Sequence, residues 1–422
     1  MNSNLIVYQN IMTTTIENMI KVVNEYRNQN QEIKDITYQV IRDLLNFAYQ
    51  HNVSNNIWKS YIIHLLVNDE NPFSLFYEKQ TTNNNASLDD LVLHDFEIIE
   101  YLYSIDLNLI AKTLQIESLN SINSYLSTEA TTSYYHQIIS SIVKQLEVSK
   151  DFITIFKTFY QKYGVGIYAS YKAFKIVVVD DQPIIKPIEH VKEIILSDLI
   201  GYQLQKEKLI ANTESFIQHK KANNVLLFGD SGTGKSSSIK AVLNQYFEDG
   251  LRMIEIYKHQ FNYLTSIISS LAKRNYKFII YMDDLSFEET ETEFKYLKAI
   301  IEGDLEETPN NVVIYATSNR RHLIKEMSSD NQENDDDLHR FDTKQEKLSL
   351  AQRFGITIYY GKPDKEQYQE IVKSLAQKYD VTIDEKTLLE EANQWEIYHG
   401  GMNGRNAEQF IYYLLSKYSY ER

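Results

Sequence analysis

Along the first 160 positions the apolar residues recur three and four apart. Leu5, Tyr8, Ile11, Met12, Ile16, Met19, Ile20 and Val23 keep that spacing. So do Val40, Ile41, Leu44, Leu45 and Ala48, and Ile98, Ile99, Leu102, Ile105, Leu109 and Ile110. A period near 3.6 puts each set on one face of a helix. Punctuation agrees, because the first glycine is Gly164 and the only earlier proline is Pro72. Long stretches without either residue favour helices. The polar run TTNNNAS (81–87) predicts a loop. Residues 1–160 are therefore expected to form an all-α domain.

The pattern changes at Gly164. The segment GVGIYASYKAFKIVVVDDQPII mixes glycine, aromatic and β-branched residues and predicts a short β-hairpin within a linker, 161–195. LSDLIGYQLQKEKLIANTESFI (196–217) predicts a helix after Gly201. Five apolar runs follow: NVLLF (224–228), MIEIY (253–257), KFIIYMDD (277–284), NVVIYATSN (311–319) and GITIYY (355–360). Helical segments at 238–247, 263–272 and 293–301 separate the first four. Near-continuous apolar strands alternating with helices indicate a parallel sheet covered on both faces. An α/β core over 196–361 is expected, with five parallel strands. After Pro363 the spacing turns helical again, predicting a small helical subdomain at 362–422.

The chain has 422 residues and a net charge of −15. Both parts are acidic: 11 Lys+Arg against 18 Asp+Glu in residues 1–163, and 32 against 40 in the rest. Neither part offers net attraction to phosphate, which argues against nucleic acid as a partner. Cysteine is absent, which excludes disulfides and thiolate chemistry and suits a cytoplasmic protein. MNSNLIVYQNIMTTTIENMI has no cationic start, and polar residues interrupt every apolar run, so neither secretion nor membrane insertion is expected.

The sharpest chemical signal is GDSGTGKS, residues Gly229, Asp230, Ser231, Gly232, Thr233, Gly234, Lys235 and Ser236, with Ser237 next. It fits G-x-x-x-x-G-K-[ST] between a predicted strand and a predicted helix. Such a loop curls so that successive N–H groups face phosphate oxygens, and the helix dipole behind it favours negative charge. Lys235 is placed to reach the β- and γ-phosphates, and the Ser236 hydroxyl to meet Mg²⁺. The third apolar run ends in Asp283 and Asp284, the place where a P-loop protein needs an acid near that ion. Asn319 ends the fourth run and is placed to orient a water or touch the γ-phosphate. Arg353 and Arg405 are candidates either for stabilising transition-state charge, which an arginine can also do from a neighbouring subunit, or for surface positions and local salt bridges.

Together these stretches resemble the AAA+ ATPases. Residues 229–236 look like their Walker A motif, 278–284 like Walker B, Asn319 like sensor 1, Arg353 like the arginine finger and Arg405 like sensor 2. SDLIGYQLQK (197–206) looks like the segment lining the adenine pocket, with Leu199, Ile200, Gly201 and Tyr202. More closely, YGVGIYASYKAFKI, LIGYQLQKEKLIANTESF, YMDDLSFEE, NNVVIYATSNRRHL, EKLSLAQRFGITI and GRNAEQF resemble a bacterial AAA+ family known only as domain of unknown function 815. The likeness runs from residue 163 to the C-terminus. It implies an ASCE-type sheet with a helical lid, ATP and Mg²⁺ as ligands, ATP hydrolysis, and a homo-oligomeric ring in which Arg353 serves a neighbour. It names no substrate; the N-terminal helices are expected to bind a protein partner.

Two departures stand out. The usual Asp-Glu pair at the strand tip is Asp283-Asp284 here, so the residue expected to polarise water is one methylene shorter. No aromatic-hydrophobic-Gly pore triplet occurs in YKHQFNYL (257–264). The run SSDNQENDDD (328–337) holds five acids and no base, as a solvated loop does. Glu288 and Glu289 are expected to open the next helix, where acids suit the dipole.

Overall fold

The structure is a computed structural model. It describes residues 4–79, 85–127, 134–287, 291, 293–302, 309–319, 323 and 350–419. The run 328–337 and Glu288 and Glu289 lie outside the described residues. The chain divides into two compact units, Met1–Tyr171 and Lys172–Arg422.

The first unit is all helical among its described residues. Its helices start where a short polar side chain accepts a backbone N–H. Thr13, Asn30, Asn56, Asn71, Asn85, Asp106 and Asp151 each do this. These caps correct the periodic reading at two places. Leu5 to Val23 is not one helix: the α-helix is Thr14–Glu25, set by Thr13, and Gln9–Ile11 forms a 3₁₀ turn before it. The third periodic set spans two helices, Ala86–Tyr103 and Leu107–Leu114, because Asp106 caps the second. Ala86 and Ser87, read as loop, begin a helix under the Asn85 cap. The buried Asp95 carboxylate accepts the N–H groups of Ile6, Val7 and Tyr8 at 2.7–2.9 Å and so fixes the N-terminal segment.

Helix Phe152–Tyr163 and the turn Ile167–Ser170 belong to this unit, beyond the expected limit at residue 160. Val165 and Ala169 are buried in its core, and Gly166 N–H donates to Val67 O at 3.0 Å. Gly164, with φ +74°, caps a helix rather than opening a new domain.

Among its described residues the second unit carries seven strands: β1 (Ala173–Val179), β2 (Gln182–Pro187), β3 (Val225–Gly229), β4 (Leu251–Glu255), β5 (Lys277–Met282), β6 (Val312–Ser318) and β7 (Ile356–Tyr360). They form one sheet in the order β2-β1-β4-β5-β6-β3-β7. The five strands expected from the pattern are all parallel. The hairpin is not a separate linker. Ala173–Lys175 pair in parallel with Met253–Glu255, and β2 closes the edge antiparallel to β1. Asp180 and Asp181 turn the hairpin at φ +50° and +57°. β5 and β6 are buried at every position, which explains their unbroken apolar runs.

β4 begins two residues earlier than its apolar run, at Leu251. Arg252 hid that start. It is 2 % exposed, with its guanidinium over the rings of Phe247 and Tyr276 at 4.2 and 4.7 Å. After β4, Phe261 is buried edge-on against Phe287, while Tyr257 is half-exposed. The C-terminal helices Lys365–Lys378, Glu385–Tyr398 and Gly404–Ser419 share a separate core of Tyr368, Val372, Leu388, Phe410, Ile411 and Leu414. Among the described residues no helix is long and apolar enough to cross a membrane.

Candidate functional site

Parallel pairing makes the strands end together. Gly229 sits opposite Tyr360, Phe228 opposite Ser318, and Met282 opposite Ala316. The loop after β3, the acids after β5 and the polar end of β6 therefore meet at one edge, where open α/β sheets place their ligands. A cleft of about 810 Å³ opens there.

The loop 229–236 bends at glycines that admit no substitute. Gly229 has φ +135°, and a Cβ there would lie 2.1 Å from Tyr360 O. Gly232 has φ +76°, and its missing Cβ leaves room for Asn403 Oδ1, 2.6 Å from where that Cβ would sit. The helix Lys235–Tyr246 starts at Gly234 with no side-chain cap. Its first N–H groups thus lack a side-chain acceptor at an end that attracts anions.

Lys235 donates to Gly229 O at 2.9 Å, Asp230 O at 2.6 Å and Asn319 Oδ1 at 3.1 Å. Burial lowers its ammonium from the usual lysine range, and Arg405 adds to the effect, while Asp230, Asp284 and Asp283 oppose it. Ser236 Oγ donates to Asp283 Oδ1 at 2.6 Å, and so does Thr317 Oγ1 at 2.6 Å. Withdrawal from bulk water pushes the Asp283 carboxyl up. The two hydroxyls and the Lys240 charge outweigh that and hold it below the ordinary carboxylate range. Asp284 takes φ +50°. Its N–H donates to Thr317 Oγ1 at 2.9 Å, and its Oδ1 accepts from Asn319 Nδ2 at 2.7 Å. Asn319 therefore bridges Lys235 and Asp284.

The other walls come from 192–206 and the C-terminal helices. Leu199, Ile200 and Tyr202 face the cleft with Ile371, Leu375 and Tyr379, an apolar end suited to a flat ring. Tyr202 stacks on Tyr360 at 4.9 Å and donates to Gly361 O at 2.7 Å. Arg405 lines the cleft from the first turn of Gly404–Ser419, beside Glu408. Gly404 N–H donates to Gly232 O at 3.0 Å, joining that helix to the loop.

Ser231 to Ser237, Asp283, Asp284, Asn319, Leu199, Ile200, Tyr202 and Arg405 thus meet on one cleft. Gly229, Asp230 and Gly201 do not line it. Gly229 is packed against β7, and the Asp230 carboxylate accepts the Lys362 N–H at 3.1 Å, where the chain leaves the sheet for the C-terminal helices. Arg353 lies elsewhere. It precedes β7, whose end meets the cleft, so the five residues of β7, about 16 Å at ~3.3 Å each, separate it from its own chain's site. Thr317 escaped the sequence reading. The clue was its position two before Asn319, hence on the same side of β6.

The donor set suits Mg²⁺. Ser236 Oγ and the Asp283 carboxylate are hard oxygens in contact, and among the described residues no cluster of three or more His, Cys, Asp or Glu competes. A magnesium site of one or two side chains completed by phosphates and water has this form.

A stretch of 77 residues, 18 % of this chain, is 32 % identical to the Replication factor C large subunit of Methanococcus vannielii. It covers 16 % of that protein, so the chain spans about a sixth of the curated relative's length. Among solved structures, the Thermotoga maritima RuvB Holliday junction branch migration motor aligns at 16 % identity and TM-score 0.38, over 55 % of this chain and 67 % of that one. A variant of the same protein aligns at 15 % and 0.39, over 55 % and 67 %. A family model described as protein of unknown function (DUF815) matches residues 169–418, more than half of the chain, and the chain belongs to that family.

Proposed function

We propose that this chain binds Mg·ATP in the cleft and hydrolyses it to ADP and phosphate to drive remodelling of a protein partner. The convergence of Lys235, the Ser236–Asp283 pair and the Asp284–Asn319 pair on one cleft supports this reading most. In it, the loop N–H groups and Lys235 hold the phosphates. Ser236 and Asp283 hold Mg²⁺, which neutralises charge on the phosphate oxygens when bound. Asn319 turns Asp284 toward a water. That water attacks the γ-phosphorus, its proton passes to Asp284, and the bond to the bridging oxygen breaks to leave ADP. Arg405 compensates charge on the phosphates. Arg353, remote from its own cleft, acts on a neighbouring copy in a ring. The N-terminal helical unit selects the partner.

Equilibrium binding of ATP and steady-state phosphate release together test the reading. Lys235→Ala is expected to abolish ATP binding, and Asp284→Asn to keep binding while cutting turnover to a slow residual rate. Unimpaired turnover in Asp284→Asn would exclude Asp284 as the base. The short Asp284 favours one alternative, a module that binds ATP as a conformational ligand with little hydrolysis. Phosphate release no faster than spontaneous hydrolysis by the unaltered protein would select it. The likeness to a replication factor keeps DNA in view despite the net charge of −15. DNA binding that weakens steeply with salt would establish that partner.

A further inference from the structure

We propose that Thr317 is a positioning residue, which sets the Asp284 carboxylate by holding the chain in a left-handed turn directly after β5. This rests on the hydrolytic reading of the cleft.

One buried hydroxyl meets both acids. Thr317 is 2 % exposed. Its Oγ1 gives its proton to Asp283 Oδ1 at 2.6 Å and accepts the Asp284 N–H at 2.9 Å. Its carbonyl accepts the Leu285 N–H at 2.7 Å. Two consecutive amides are thereby turned onto one residue of β6, and Asp284 between the strand tip and Leu285 is left at φ +50°. Residues other than glycine avoid that region, and aspartate with its short polar side chain is among the few enriched there. Two residues on, Asn319 Nδ2 meets Asp284 Oδ1 at 2.7 Å. Thr317 and Asn319 thus grip Asp284 by its backbone and its carboxylate. The turn also accounts for aspartate where the resembling ATPases carry glutamate: the backbone brings the acid forward, and the longer side chain suits a left-handed residue less well.

The test compares Thr317→Val, which keeps the shape and loses both hydroxyl bonds, with Thr317→Ser, which keeps the hydroxyl. Single-turnover rates and ATP dissociation constants are measured on the full chain. A displacement near 1 Å at a catalytic group costs on the order of 10²-fold. Thr317→Val is therefore expected to slow turnover by about 10- to 100-fold, with ATP affinity within about threefold, and Thr317→Ser to restore most of the rate. In an Asp284→Asn background the valine should cost no more than about twofold, because the group it positions is gone. Wild-type turnover in Thr317→Val overturns the proposal. So does an undiminished loss in the Asp284→Asn background, which would make Thr317 a support for Asp283 instead. An unaltered protein that binds ATP without turnover would refute the hydrolytic reading, and this proposal with it.

Discussion

The joint between the loop 229–236 and the C-terminal helices passes through Gly232, and Gly232→Ala should break it. The new Cβ would lie 2.6 Å from Asn403 Oδ1, and the residue would be held at φ +76°. Asn403 cannot yield freely, because the same oxygen accepts the Asn406 N–H at 2.9 Å in the first turn of the last helix. Three costs follow. Left-handed alanine costs roughly 1–2 kcal/mol. Displacing a capping side chain costs about 1 kcal/mol. Losing the Gly404 N–H bond to Gly232 O costs about another 1 kcal/mol. The sum is about 3–4 kcal/mol, a factor of several hundred in the docking equilibrium. Urea unfolding followed by fluorescence reads it, with Trp395 reporting on the C-terminal helices and a Trp395→Phe control isolating its signal. In an Asn403→Gly background the clash and the cap are already absent, so the same alanine should cost only the strain and any lost backbone bond. Equal costs in the two backgrounds, or a cost under ~0.5 kcal/mol in the first, would refute the reasoning.

Asp284→Glu, which restores the acid common in the resembling ATPases, should not speed turnover, because a left-handed residue disfavours the longer side chain; a gain in phosphate release would show that side-chain length limits the rate. Arg353→Ala chains mixed with Lys235→Ala chains should regain turnover that neither shows alone, because an intact arginine on one copy then meets an intact nucleotide site on its neighbour; no gain over either alone, or equal turnover by Arg353→Ala and the unaltered protein, would remove the finger assignment. His64 in the first unit is held down to about 3 by burial and then by His51. Its folded value lies below its unfolded one, so the unfolded chain binds the extra proton, and stability should fall as pH drops below 6.5, by up to about 1.4 kcal/mol per pH unit. His64→Gln should flatten that slope, and an unchanged slope would clear His64 of the effect.

Much of the sheet was legible because strands buried on both faces write unbroken apolar runs, as 278–282 and 312–316 do. The loop 229–236 stood out because glycine and lysine at that spacing between a strand and a helix have few other uses. The hairpin's place was not, since Ala173–Lys175 pair with a strand some eighty residues away and no local pattern records a partner. Arg252 misled for the opposite reason: a buried charge satisfied by two rings and backbone oxygens reads as surface in a sequence. Thr317 was missed because its role lies in two hydrogen bonds across strands, and a threonine in a β-run is ordinary. Gly229 packs on Tyr360 and the Asp230 carboxylate holds the Lys362 N–H, contacts that no local pattern records.

The strand that leads into the loop 229–236 has no sequence neighbour beside it in the sheet. β3 lies between β6 and β7, which begin at residues 312 and 356. As the chain leaves the ribosome, β3 therefore waits with both edges bare while β4 and β5 can already pair with each other. Its edges close only after residue 360 has emerged, and such long-range parallel pairing is slow. Truncation anywhere before β6 would leave an apolar strand, VLLF, open on both sides and prone to pair with another chain. The segment that would hold nucleotide is thus among the last parts of the second unit to become safe from aggregation.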